Sequence, residues 1–362
     1  MTLDVDRFGL GNEKFSHAQI ASTLSNRIQQ LIILPTERCN FRCTYCYEDF
    51  LIGKMKEPVQ SSIERFMDRR IPELSELSLH WFGGEPLMAK EVVLRLSSHA
   101  KQLCKEHGVS LIGGLTTNAY VLTPELFEKL LSYDQRFFQI TFDGWQESHD
   151  AVRRMASGRG TFERIWKNVV ATKRSTEQFT IQFRIHVRRD NHENLEILLG
   201  NIAREFGGDC RYALDFEHLR NLGGPGGKSV DRPLSPAELR EVEQHLRKGY
   251  DAAVASFAHQ PSSICRPASL VQGAPIGEVK PSQLSGAPPY ICYAAKPNSL
   301  LIRADGRIGK CTVALDDDRN TIGQIESDGT LTIKNEKLRL WTRGLSDLDT
   351  KSPSCPLASL PS

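Results

Sequence analysis

No stretch of about 18 uncharged apolar residues occurs anywhere in this 362-residue chain, so nothing in it predicts a membrane span. Residues 1–17 lack an apolar run and carry Asp4, Asp6, Arg7, Glu13 and Lys14, which is not the pattern of a secretory signal or transit peptide. Charge of one sign is also missing. Forty-six Lys and Arg stand against 44 Asp and Glu, a formal +2, without the basic excess that neutralising nucleic-acid phosphates requires. Neither a nucleic acid nor a membrane is expected as a partner, and a soluble cytoplasmic protein is the default. Internal repeats and low-complexity tracts are absent too.

Cysteine is not scarce. There are nine, an odd number, and three of them fall within residues 39–46. A chain with 40% hydrophobic residues can bury a substantial core, divided into two or three units at roughly 150 residues each, and does not need disulfide staples. Clustered cysteines in such a chain point to metal ligation.

Apolar periodicity gives strand candidates at 30–35, 77–82, 109–116, 137–142, 179–187 and 212–218, short and rich in β-branched or aromatic residues. Helical patterns at 59–71, 89–107, 124–131, 161–176 and 194–206 lie between them, with Thr123-Pro124 as a plausible start signal. Six strands alternating with five helices imply an α/β fold with a parallel sheet curved as an open barrel. Gly223-Gly224-Pro225-Gly226-Gly227 cannot sustain helix or strand and reads as a mobile connection at a domain boundary. A helix at 236–257 follows, then a Pro- and Gly-rich stretch through 289, then a β-hairpin at 300–311 turning at Asp305-Gly306. The expected division is an N-terminal extension (1–27), the barrel (28–222), a linker with a helix (223–289) and a smaller C-terminal unit (290–362).

Cys39, Cys43 and Cys46 follow the first strand, at spacings that let one loop wrap three corners of an iron–sulfur cubane. The iron at the fourth corner then has no protein thiolate and can chelate a small molecule, which a fully ligated electron-transfer cluster cannot do. A structural zinc site would need a fourth ligand, for which His80 and Cys104 are the nearest options.

The pattern C-x3-C-x-aromatic-C resembles the signature of the radical S-adenosylmethionine (SAM) superfamily, and the six βα units resemble its partial (β/α)6, TIM-like barrel. Other strand ends agree. Gly83-Gly84-Glu85-Pro86 resembles the GGEP motif that contacts the amino group of bound SAM, glycines permitting close backbone approach and an acid suiting an ammonium. Thr116-Thr117-Asn118 resembles a TNG motif with Ala119 in place of Gly, and Thr141-Phe142-Asp143-Gly144 resembles S-x-D-G with Thr for Ser. The resemblance makes Thr117, Asn118, Thr141 and Asp143 cofactor contacts. By the same resemblance Tyr45 packs against adenine. Arg184 either contacts the SAM carboxylate or ribose or pairs with a neighbouring acid. His149-Asp150 with Arg153 resembles an H-D-x-x-R stretch of peptide-modifying members, read here chiefly as the start of a surface helix.

Cys292, Gly306 and Cys311 match the opening of the auxiliary-cluster domain called SPASM, and Cys355-Pro356 resembles its last cysteine-rich run. Cys292, Cys311 and Cys355 are the expected ligands of one or two auxiliary [4Fe–4S] clusters, with Cys265 as a further option. The run breaks off at Ser362, as expected of a fragment. Cys104 and Cys210 read as small buried core residues.

The resemblance implies a [4Fe–4S] cluster that cleaves SAM to a 5′-deoxyadenosyl radical, which abstracts hydrogen from a substrate. SPASM-type members act on peptides, so the expected partner is a ribosomally made precursor peptide acquiring a carbon–carbon, ether or thioether cross-link. With 38 residues before Cys39, too few for a fused leader-binding module, leader recognition is expected to fall to another surface or to a separate protein, alongside a reductant such as flavodoxin or ferredoxin. One alternative is a sulfatase-maturing enzyme that makes formylglycine, although those relatives carry Asp where this chain has Tyr293. An alternative of another class is a non-catalytic iron–sulfur carrier or scaffold. No catalytic residue is assigned.

Overall fold

Strands and helices alternate as the apolar spacing requires. A computed structural model describes residues 23–257, 291–346 and 355–360. Most of the N-terminal extension, the Pro- and Gly-rich stretch and Cys265 lie outside the described residues. The first half of the fold runs β1 (Ile28–Ile33), α1 (Glu57–Arg70), β2 (Glu76–Trp81), α2 (Lys90–His107), β3 (Ser110–Thr117), α3 (Pro124–Ser132) and β4 (Gln135–Phe142). It continues through α4 (Gln146–Val152), α5 (Phe162–Ala171), β5 (Thr180–Val187), α6 (His192–Phe206), β6 (Tyr212–His218) and α7 (Pro236–Ser256). The longer barrel helices pack through a buried apolar stripe. In α2, Val92, Val93, Leu96, Ala100 and Cys104 recur at helical spacing and are buried against the sheet. Thr123 caps α3 as its sequence announced, its hydroxyl accepting from the Leu126 N–H with Pro124 in the first turn.

Strands β1 to β6 are parallel neighbours in sequence order, and β6 is left at the sheet edge, which gives the open (β/α)6 barrel. A smaller C-terminal part extends the same sheet from its other side. There β7 (Ser299–Ile302) pairs in parallel with β1, and β8 (Arg307–Gly309), β9 (Gly323–Ile325) and β10 (Leu331–Ile333) continue antiparallel, followed by α8 (Asn335–Ser346). The junction is ionic as well as hydrogen-bonded. Arg303, just past β7, grips Glu37, just past β1, in a bidentate pair at 2.9 and 2.5 Å, and both side chains are buried.

Two buried histidines make this fold sensitive to acid. His80 on β2 is 1% exposed, its Nε2 bonded to Ser78 Oγ at 2.6 Å and its Nδ1 without a partner. Burial pushes His80 down to about 3, and burial with the nearby Arg153 does the same to His149. Between pH 3 and 6.5 the unfolded chain therefore binds more protons than the folded one, and stability is lost as pH falls through that window. The loss expected between pH 7 and pH 5 is roughly 2 kcal/mol per histidine. Urea midpoints at the two pH values test this, and His80→Gln should remove about half of the difference.

Candidate active site

Because β1 to β6 are parallel, the loops leaving their C-terminal ends converge on one side of the barrel. The cysteine loop is one of them, and its backbone is held from two directions. The Arg42 and Thr44 N–H groups donate to the carbonyls of Arg154 and Val152, and Ala156 N–H donates to Asn40 O. From the other side, Gly226 N–H donates to Cys46 O at 2.8 Å and Ser229 Oγ to Thr44 O at 2.8 Å. A Cβ on Gly226 would lie 2.4 Å from the Tyr45 carbonyl carbon, and one on Gly224 (φ +64°) 1.9 Å from Tyr47 O. Only glycine lets this segment lie so close. The Gly-rich run, expected as a mobile connection, thus packs directly on the cysteine loop.

Cys39, Cys43 and Cys46 are all free and partly exposed. Phe41 N–H donates to Cys39 Sγ at 3.3 Å, and Glu48 N–H is directed at the Cys46 sulfur. Burial pushes all three thiols upward, Cys46 to about 12, so the charged form needs a compensating cation. A cluster iron at each thiolate supplies that charge, and N–H groups aimed at the sulfurs suit it. The residues present therefore fit a [4Fe–4S] cluster. The fourth ligands considered for zinc are committed elsewhere: His80 bonds to Ser78 inside the sheet, and Cys104 is buried on α2. Among the described residues, no three His, Cys, Asp or Glu side chains form a group that could hold a single metal ion.

Gly83, with φ +117°, and Gly84 bring the end of β2 against the cysteine loop. A Cβ on Gly83 would lie 2.2 Å from Thr36 O, and one on Gly84 2.6 Å from Arg38 O. Glu85 is fully buried and accepts from Leu87 N–H and Thr117 Oγ1 with one oxygen and from Asn118 N–H with the other. It braces the ends of β2 and β3 together, and Pro86 opens the short helical turn that follows. Asn118 reaches back to the cysteine loop, its Nδ2 2.8 Å from Asn40 Oδ1 and 3.9 Å from Cys39 Sγ. Ala119, where the motif it resembles has Gly, takes the left-handed φ of +58°.

Asp143, at the end of β4, is the electrostatic centre of this face. Its carboxylate accepts from the Tyr45 hydroxyl at 2.7 Å, with Arg153 Nε at 3.7 Å, His186 Nδ1 at 3.4 Å and Arg188 at 3.4 Å. Arg153 also donates to the Tyr45 oxygen at 2.8 Å, and the His186 ring meets the Tyr45 ring edge-on. Burial alone would raise Asp143, but His186 and Arg153 hold it well below the usual carboxylate range. Tyr45 is thus tied into a polar network as well as offering a ring face. Thr141 is buried two residues before Asp143. Arg184 pairs with Asp215 on the neighbouring β6, both its Nε and its terminal nitrogen lying 2.9 Å from the same oxygen. Of its two expected roles, the pairing with an acid is the one seen.

The His149–Arg153 stretch is not a surface feature. His149 is 0% exposed among Phe142 and Phe162, Asp150 caps α5 through the N–H groups of Thr161 and Phe162, and Arg153 enters the Asp143 network. His186, Arg188 and Asn40 are site residues that the motif reading missed, and Arg153, expected on a surface helix, is a fourth.

In the C-terminal part, Cys311 is buried and lies within electrostatic reach of Cys355, and Tyr293 within reach of both Cys292 and Cys311. Asn320 holds the Cys311 turn, accepting from the N–H groups of Lys310 and Cys311 and donating to the carbonyls of Cys311 and Ala314. Of the three expected auxiliary ligands, Cys311 thus lies near Cys355, and Cys292 shares the Tyr293 side chain with Cys311. Tyr293 is locked by its hydroxyl, which accepts from Thr312 N–H at 3.0 Å. Cys210 departs from its reading as a buried core residue: it is exposed.

Residues 33–199 match the family model of the Radical SAM superfamily. By sequence it is similar to a serine-type anaerobic sulfatase-maturating enzyme of Bacteroides thetaiotaomicron, 25% identical over 62% of this chain and 51% of that protein. The chain thus spans about half the length of that relative. In fold it is similar to native anSMEcpe with bound AdoMet and Kp18Cys peptide (TM-score 0.61, 17% identity, 87% of this chain and 84% of that one). It is also similar to Streptococcus suis SuiB bound to precursor peptide SuiA (TM-score 0.55, 15% identity, 90% and 67% covered). These likenesses bear out the α/β barrel with a C-terminal extension. No helix among the described residues is long and apolar enough to cross a membrane.

Proposed function

We propose that the chain binds a [4Fe–4S] cluster through Cys39, Cys43 and Cys46 and uses SAM to modify a peptide in the cytoplasm. The observation that carries this reading is the trio of unbridged thiols on a loop fastened at the mouth of the parallel strands. When bound, the cluster and SAM supply a carbon-centred 5′-deoxyadenosyl radical. The chain's own residues supply position. Gly83, Gly84, Glu85, Pro86, Thr117, Asn118, Thr141, Asp143, Arg184 and Tyr45 are the proposed walls of the SAM site. Within it Glu85 and Asp143 act mainly by fixing their neighbours, because their carboxylates are already engaged. Cys292, Cys311 and Cys355 are proposed ligands of an auxiliary cluster.

The peptide reading is supported by the kind of relatives found, including a radical SAM cyclopropyl synthase and a PqqA peptide cyclase. A cross-link in a ribosomal precursor is the preferred outcome over formylglycine formation, because a carboxylate base after Cys292 is replaced by the immobilised Tyr293. A leader-binding protein and a flavodoxin- or ferredoxin-type reductant complete the proposed system. Co-expression with any short open reading frame that neighbours the gene tests this. A precursor lighter by two hydrogens is the expected product, whereas an unchanged precursor together with formylglycine on a neighbouring sulfatase would contradict the cross-linking reading.

A further inference from the structure

Beside the cysteine loop lies a cavity of about 200 Å³ that the reaction described above does not use. Four carboxylates line it, those of Glu37, Glu48, Asp49 and Asp316, and no basic side chain does. Glu37 is neutralised by Arg303. Glu48, Asp49 and Asp316 have no ion-pair partner among the described residues. Glu48 is the telling member: it is 7% exposed, and its Oε2 has no hydrogen-bond partner at all. A buried carboxylate oxygen left without a donor is costly, and chains retain one where a ligand completes it.

The chemistry of the missing partner follows from the walls. A bare divalent cation is unsuited, because among the described residues no three acidic, His or Cys side chains form a group that could hold one. The space is several water molecules wide, and Val313 and Leu315 give it an apolar side. A long alkyl stem ending in a positive charge satisfies both surfaces, as lysine and arginine side chains do. The cavity sits between the residues just after Cys46 and the residues just after Cys311, with the Gly224-Pro225 turn at its rim. A side chain held there would anchor its peptide next to the cysteine loop.

We propose that this cavity is a recognition pocket for a lysine or arginine side chain of the peptide substrate, with Glu48 receiving the cationic head; this rests on the reading of the chain as a peptide-modifying enzyme. The pocket then selects substrates by charge and sets the register of the peptide relative to the reactive centre.

The test is titration calorimetry on the full, cluster-reconstituted chain with three capped residues: N-acetyl-lysine methylamide, N-acetyl-arginine methylamide and the uncharged N-acetyl-norleucine methylamide. At least one cationic probe should bind at least tenfold more tightly than norleucine. Glu48→Gln and, at the exposed rim, Asp316→Asn should each weaken it severalfold, Glu48→Gln the more. Equal binding of all three probes, no binding of any, or wild-type affinity in both variants overturns the pocket. Formation of 5′-deoxyadenosine is followed in the same preparation so that the two readings fail separately. Cleavage without probe binding sinks the pocket alone, and selective binding without cleavage sinks the enzymatic reading while the cation site stands.

Discussion

Cys43→Ala is expected to reduce formation of 5′-deoxyadenosine by dithionite-reduced, reconstituted protein to background. The cluster site has three thiolates and no spare among its neighbours, because the other polar groups at the barrel mouth are engaged in fixed hydrogen bonds. Losing one of three ligands should cost more than the roughly 10–100-fold that removal of even an outer-shell partner costs at a metal site. Iron bound per chain should fall in parallel. Cys104→Ala is the matching control, since that thiol is packed in the core of α2. It should cost a little stability and leave cleavage in place. Wild-type cleavage by Cys43→Ala would contradict the assignment of the loop.

Asp143→Ala should produce the largest loss of stability available from a single side chain at this face. Asp143 is 0% exposed and faces Tyr45, Arg153, His186 and Arg188 at once. Arg153 is itself buried, its Nε has no hydrogen-bond partner, and Asp143 is its ion-pair partner among the described residues. Removing one partner of a buried pair leaves an uncompensated charge, at a cost of about 3–5 kcal/mol. Urea unfolding at pH 7 measures it. Asp143→Asn keeps an acceptor for the Tyr45 hydroxyl and should cost less. The pH window, not the sign of the dependence, separates this group from the histidines. A carboxylate held below its unfolded value contributes stability that is present above about pH 4 and lost as pH falls further. Asp143→Asn should therefore flatten the acid limb below about pH 4 and leave the His80 contribution above it, which burial alone sets, unchanged.

Much of this architecture was legible in the chain, and the departures have physical causes. The sixth strand was read at 212–218 and forms there, because its apolar and aromatic residues coincide with its ladder. The first was read at 30–35 but runs Ile28–Ile33, since Gln29 and Gln30 pair with β2 although neither is apolar, and Pro35 has no N–H to offer a ladder. The fifth helix was extended to 176 yet ends at Ala171, where the Thr172 hydroxyl bonds back to Val169 O and a single 3₁₀ turn follows.

The site was legible where one short motif carries it, as in Cys39–Cys46 and Gly83–Pro86. It was not legible where residues meet only through the fold. Arg153 reaches Asp143 from a separate helix end, and Gly224 and Gly226 reach the cysteine loop from about 180 residues away along the chain. His186 is an intermediate case. Arg184 and His186 on β5, with Arg188 just past its end, alternate with the buried Phe183, Ile185 and Val187, so period-two spacing sets these three apart from the apolar face. A motif search stops at Arg184 and misses the two that touch Asp143.

The central claim is that Cys39, Cys43 and Cys46 leave one iron free to chelate SAM. Electron paramagnetic resonance of the anaerobically reduced cluster, recorded with and without SAM, tests it most directly. A changed cluster signal on addition, lost in Cys43→Ala, is the predicted result. A signal indifferent to SAM, or purified protein carrying zinc in place of iron, would contradict it.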